Sequence, residues 1–141
     1  MNKFIAITTI IVFALLAFSC SSGSNSANSG KAVKSGSAGN NLTVTLSTAD
    51  GVLRKGNQNF TVTFADASGK PVDVGAVALN FFMPAMGSMS AMNNPATFTT
   101  TSTPGVYSGK ADIEMSGEWQ TQITYEGPAG KGKATLPITA Q

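Results

Sequence analysis

The chain has 141 residues and a net charge of +2, from nine Lys and Arg against seven Asp and Glu, with no histidine and a single cysteine. One cysteine excludes an internal disulfide, and the lack of histidine removes the usual base for catalysis near neutral pH. The positive balance resides in Lys3, Lys31 and Lys34. The stretch from Leu42 to Gln141 carries six cations against seven anions, a net −1, and so lacks the basic face that nucleic-acid binding needs.

Met1-Asn2-Lys3 is a weakly positive start, and Phe4 to Phe18 is uncharged and largely apolar. That run is shorter than the roughly 20 residues of a membrane-spanning helix and suits the core of a secretory signal peptide. It ends in Ala17-Phe18-Ser19-Cys20, which resembles the cleavage box of bacterial lipoproteins. Residues 1–19 are read as the signal and Cys20 as the lipidated first residue of the mature chain. The expected place is the cell envelope, facing the periplasm or the exterior. Ser21 stands where many inner-membrane lipoproteins carry aspartate, which points to the outer membrane in a cell that has two. Residues 20–41 read as the lipidated cysteine and a flexible tether. Val33 is the only large aliphatic residue from Ser21 to Asn41, too little apolar surface to fold on. A flexible tether of that length holds a domain about 25 Å from its anchor.

Residues 42–141 suffice for one domain. Alternation of period two dominates. Leu42, Val44 and Leu46 mark a first strand, Phe60, Val62 and Phe64 a second, and Val77, Leu79, Phe81 and Met83 a third. Ala96 to Thr101 is a short fourth. Tyr107 to Met115, Trp119 to Tyr125 and Ala134 to Ile138 complete the set. Turn signals separate them, as at Asp66 to Pro71 and Thr103-Pro104-Gly105. The expected fold is all-β, an immunoglobulin-like antiparallel sandwich of about seven strands. Trp119, Phe60, Phe64, Phe81 and Tyr107 are the core candidates, and Pro137 marks the last strand as an edge.

Met83, Met86, Met89 and Met92 recur at three-residue spacing. With Pro84, Gly87, Ser88 and Ser90 among them, the segment reads as a loop rather than a helical turn. If successive strands run up and down, the third and fifth end at one pole of the sandwich. Met83, the loop methionines, Met115 and Trp119 then meet there. Uncharged thioethers select Cu(I) or another soft ion over Mg, Ca or Zn, and an indole face can cover a cation. Methionine is equally a gap filler and an adaptable docking surface.

Phe82-Met83-Pro84-Ala85-Met86-Gly87, Pro104-Gly105-Val106-Tyr107-Ser108-Gly109 and Met115-Ser116-Gly117-Glu118-Trp119 together resemble the YtkA-like/FixH-like family of small exported domains, over most of 42–140. The resemblance implies an extracytoplasmic sandwich and a role in copper handling. It carries the family's recurring methionines onto Met83, Met86 and Met115, and its tryptophan onto Trp119. Without histidine the metal reading narrows from Cu(II) to Cu(I) or Ag(I).

The functional expectation is therefore a lipid-anchored Cu(I)/Ag(I)-binding module. Met83, Met86 and Met115 are the leading ligands, Met89 and Met92 auxiliary ones, and Trp119 the capping aromatic. Its partners would be the membrane, through Cys20, and a copper donor or acceptor protein. The alternative is a protein-interaction module with a methionine-rich tip and no metal. An enzyme is not expected, because the serines lack an activating base and Asp112 and Glu114 sit on an outward strand face. Replacing Cys20 with alanine is expected to abolish acylation and release the protein from the membrane fraction. Retained incorporation of labelled palmitate would sink the lipoprotein assignment.

Overall fold

The computed structural model describes residues 30–141; residues 1–19, read as a signal peptide, and Cys20 lie outside the described residues. Nine strands form two antiparallel sheets: β1 (Lys31–Gly39), β2 (Leu42–Thr48), β3 (Gly56–Ala65), β4 (Ala76–Met83), β5 (Met92–Pro95), β6 (Thr97–Thr100), β7 (Val106–Ile113), β8 (Gly117–Gly127) and β9 (Gly130–Ala140). The sheet orders are β1-β2-β3-β7-β6 and β5-β4-β8-β9. With β1 set aside, these are the orders of an immunoglobulin-like sandwich with one extra strand beside its third. The expected fold class therefore holds, with nine strands instead of seven.

The alternation seen in the sequence becomes the division between core and solvent. In β8, Trp119, Thr121, Ile123 and Tyr125 are buried and the residues between them exposed. Leu79, Phe81 and Met83 of β4 face them across the ladder. The five core candidates are all buried. Phe60 meets Phe81 and Phe98 edge-on at 5.6 and 5.9 Å between ring centroids. Phe64 meets Tyr125 and Tyr107 at 5.2 and 6.0 Å. Full burial of each such side chain stabilises by roughly 1.5–3 kcal/mol, and the edge-on contacts add to that.

Two strands depart from the expectation. The first is β1, which occupies 31–39 of the segment read as tether. It pairs with β2 from Lys31↔Thr48 to Gly39↔Leu42. The turn between them is Asn40-Asn41, with φ of 51° and 58°, as a type I′ hairpin needs at both central positions. Small residues let this polar strand approach the other sheet. A Cβ on Gly36 would lie 2.5 Å from Leu136 Cδ2. The Tyr125 hydroxyl donates to the Ala38 carbonyl at 3.2 Å, and Asn40 Nδ2 donates to that hydroxyl at 3.0 Å. Backbone pairing and close approach hold β1, so its low hydrophobicity does not keep it unfolded. The first sheet thus includes Lys31–Gly39, upstream of Leu42.

The second is β5. The chain pairs with β4 through Met92–Pro95, then crosses to the other sheet at Ala96 and pairs with β7 through Thr97–Thr100. Pro137 lies on β9 at the margin of its sheet, as expected. That margin is closed at its end by Gln141, which accepts from Lys55 N and donates to the Leu53 carbonyl at 2.8 and 2.9 Å.

A chain starting at Leu42 loses β1 and the Asn40-Asn41 turn, and with them both hydrogen bonds to Tyr125. Such a chain is expected to be less stable by about 2–4 kcal/mol, a fall of about 10 °C or more in Tm. An unchanged melting curve relative to a chain starting at Gly30 would show that β1 is dispensable.

Candidate metal centre at the methionine pole

The ends of β4 and β7 and the start of β8 lie at one pole. Antiparallel pairing fixes this, since Phe82 is opposite Gln120 and β8 follows β7 through a short turn. One step further, that register sets Met83 beside Trp119. A Cβ on Gly117 would stand 3.2 Å from Met83 Cε, which places this thioether against the start of β8. Met115 sits in the β7–β8 turn, and its carbonyl accepts from Trp119 Nε1 at 3.0 Å.

The four clustered methionines do not form a loop. They occupy one β-hairpin in two cross-strand pairs, Met83↔Met92 and Met86↔Met89. Met86 and Met89 exchange backbone hydrogen bonds of 3.1 and 2.9 Å around Gly87-Ser88. Gly87 has φ 57° and Ser88 has no positive φ, as a type II′ turn requires. The three-residue spacing is therefore symmetric about the turn. Along each arm, a step of three on a ribbon of period two turns Met86 away from the face of Met83 and Met89 away from the face of Met92, while each cross-strand pair shares a face. Exposure agrees with this: Met83 is 1% exposed and Met92 half-buried, whereas Met86 and Met89 are 52% and 41% exposed.

The pole thus holds two groups. Met83, Met92 and half-buried Met115 form the inner one, beside Trp119. Met86 and Met89 form the outer one, on the far face of the ribbon. The expected leading set of Met83, Met86 and Met115 is divided between them. Trp119 is itself 1% exposed, with its N–H committed to the Met115 carbonyl. It anchors the β7–β8 turn, a structural role that the capping expectation did not include.

The chemistry of the inner group is that of neutral sulfur. Among the described residues, no group of three or more His, Cys, Asp or Glu side chains is placed to hold a metal ion. The thioether donor set fits a soft monovalent ion and not Zn, Ca or Mg, which need imidazole, thiolate or carboxylate oxygen. The ionisations that the fold shifts belong to other places. Burial raises the Tyr107 phenol, which accepts from Val74 N and donates to Asp73 at the opposite pole. Hydrogen bonds from Ser68 and Lys70 lower the Asp66 carboxyl within its turn. Arg54 does so for Asp50 in the connection between β2 and β3. Asp112 and Glu114 are exposed, as expected.

Sequence reasoning missed Asn94. It is 6% exposed on the inward face of β5, two residues from Met92. Its Nδ2 donates to the Asp112 carbonyl of β7, tying the two sheets together next to the pole. Its Oδ1 has no protein partner. A polar residue within a short strand after the methionines was the only signal available.

Of the three sequence motifs, two build this pole and one does not. Pro104 to Gly109 lies at the opposite end of β7. Gly105 has φ 84°, and a Cβ there would lie 2.5 Å from the Val72 carbonyl oxygen. A Cβ on Gly109 would lie 2.4 Å from the Phe60 ring and 2.8 Å from Phe98. That motif is a packing requirement.

A family model described as YtkA-like matches residues 36–124. The match begins inside β1 and ends inside β8. No curated protein and no solved structure matches the chain.

Replacing Trp119 with phenylalanine keeps a buried ring but leaves the Met115 carbonyl without its donor. The expected cost is about 1–3 kcal/mol, with faster amide exchange at Ser116 and Gly117. Unchanged stability and exchange would remove Trp119 as the anchor of the turn.

Proposed function

The chain belongs to the YtkA-like family, and within it we propose a lipid-anchored envelope module that binds a soft monovalent cation, Cu(I) or Ag(I), at the methionine pole. One observation carries the reading. Five of the six methionines in the chain are brought to one end from two separate segments, the β4–β5 hairpin and the β7–β8 turn. Met83, Met92 and Met115 are the inner donors. Met86 and Met89 are the exposed pair at which an ion is first taken from a donor protein or passed to an acceptor. Uncharged donors bind without proton release, so uptake and release are reversible and insensitive to modest changes of pH. Binding, not catalysis, is the activity proposed. The anchor is Cys20, and the outer membrane is the proposed site in a cell that has one.

A second reading is favoured by one fact. Met86 and Met89 are the exposed large hydrophobic side chains among the described residues, and an adaptable apolar tip suits docking to a partner protein. In that reading Met83 and Trp119 are core, and the tip acts without metal.

The test is an anaerobic, reducing titration with Cu(I) against a competing chelator, following Trp119 fluorescence. The chain used has to begin no later than Gly30, to retain β1. Leucine at Met83, Met92 and Met115 together is expected to weaken Cu(I) binding at least about tenfold, about 1.4 kcal/mol. Each volume-conserving swap by itself costs less than about 1.5 kcal/mol of stability. Unaltered affinity after replacing all five pole methionines would refute the metal reading. Metal-independent partner capture lost on Met86→Ser and Met89→Ser would establish the second.

A further inference from the structure

Met86 and Met89 are distinguished from the other pole methionines by chemistry as well as by position. Thioether oxidation follows exposure, and the fold separates the methionines by exposure: 52% and 41% for this pair, half-buried for Met92 and Met115, 1% for Met83. Trp119, the other readily oxidised ring beside the pole, is withdrawn from solvent at 1% exposure. The pair is also not part of the hydrophobic core. Its geometry is set by the Met86–Met89 backbone hydrogen bonds and the Gly87 turn, neither of which involves sulfur. A change at these two sulfurs therefore leaves the sandwich intact. The same change at Met83 would put a polar group into a close-packed interior.

We propose that Met86 and Met89 form a reversible oxidation site, converted to sulfoxides by hydrogen peroxide or a hypohalous acid while the inner methionines stay reduced. A sulfur lone pair attacks one peroxide oxygen. The O–O bond breaks, the S–O bond forms, sulfur loses two electrons, and the second oxygen leaves as water after proton transfer. The reverse step consumes two thiols of a sulfoxide reductase, which become a disulfide as the oxygen departs in water. Two sulfoxides side by side turn the apolar tip polar. The consequence for metal rests on the proposed function: each oxidised sulfur loses its soft thioether character, so the pair no longer receives Cu(I) or Ag(I).

The experiment treats the full chain with a graded series of hydrogen peroxide. Peptide mass mapping follows, with fragmentation that resolves each methionine. Met86 and Met89 are expected to take up one oxygen each about tenfold faster than Met83, with Tm unchanged to within about 2 °C. Methionine sulfoxide reductases with a dithiol are expected to return both to thioethers. Equal oxidation of Met83, unfolding that accompanies oxidation of the pair, or failure of the reductases to restore it overturns the proposal. Ag(I) titration before and after oxidation separates the two claims. A rate of Ag(I) uptake that is unchanged after oxidation of the pair overturns the coupling. No Ag(I) binding to the reduced chain, with selective oxidation intact, overturns the metal reading and leaves the oxidation site standing.

Discussion

The register of β4 between β5 and β8 controls the arrangement of this molecule. Phe81 lies opposite Asn94 on one side and Thr121 on the other, and every other side chain follows from that alignment. A slip of one residue would exchange the faces of the strand. Phe81 and Met83 would move to solvent, and Phe82 would move into the core. Burial of Leu79, Phe81 and Met83 against β8 holds the register, and the Met86–Met89 turn closes it at the far end. The partition of the four hairpin methionines into an inner and an outer pair is a by-product of the same alignment.

Electrostatics gives that partition its meaning. A cation enclosed by neutral sulfur in a low-dielectric interior is costly to desolvate, because no charge nearby offsets its own. A fully internal site among Met83 and Trp119 is therefore unfavourable by itself. The half-buried Met92 and Met115 lie where the inner group reaches the surface, and a soft ion held there keeps part of its solvation. The outer pair pays no desolvation cost but supplies only two sulfurs. Under the proposed function such a combination would act as a reversible carrier, and the exposure that would admit an ion to the outer pair also admits oxidants.

The margins of the sandwich are secured by polar contacts rather than by more hydrophobic area. Tyr125 and Asn40 fix the end of β1 above the β8–β9 hairpin, and Asn94 fixes β5 to β7. Gln141 and Leu53 complete the end of β9. Unpaired strand margins invite association with other chains. Among the described residues two buried polar atoms have no partner, Asn94 Oδ1 and Thr121 Oγ1. They flank Phe81 in adjacent positions of the ladder, one row from the methionines.

The sequence by itself determined whatever depends on local chemistry and periodicity. Alternating apolar residues specified the strands, their inward faces and the aromatic core, because a half-buried strand has no other way to separate its two sides. Up-and-down topology was enough to bring Met83, Met115 and Trp119 to one pole. Tertiary structure alone decided the rest. β1 escaped notice because its stability comes from backbone pairing and from the smallness of Gly36 and Ala38, which composition registers as flexibility. Its one local signal was Asn40-Asn41, two residues suited to positive φ. The methionine spacing gave no hint of which thioethers share a face. That depends on whether the segment is loop, helix or ribbon, and pairing across the hairpin, a contact between residues distant along the chain and adjacent in space, settled it.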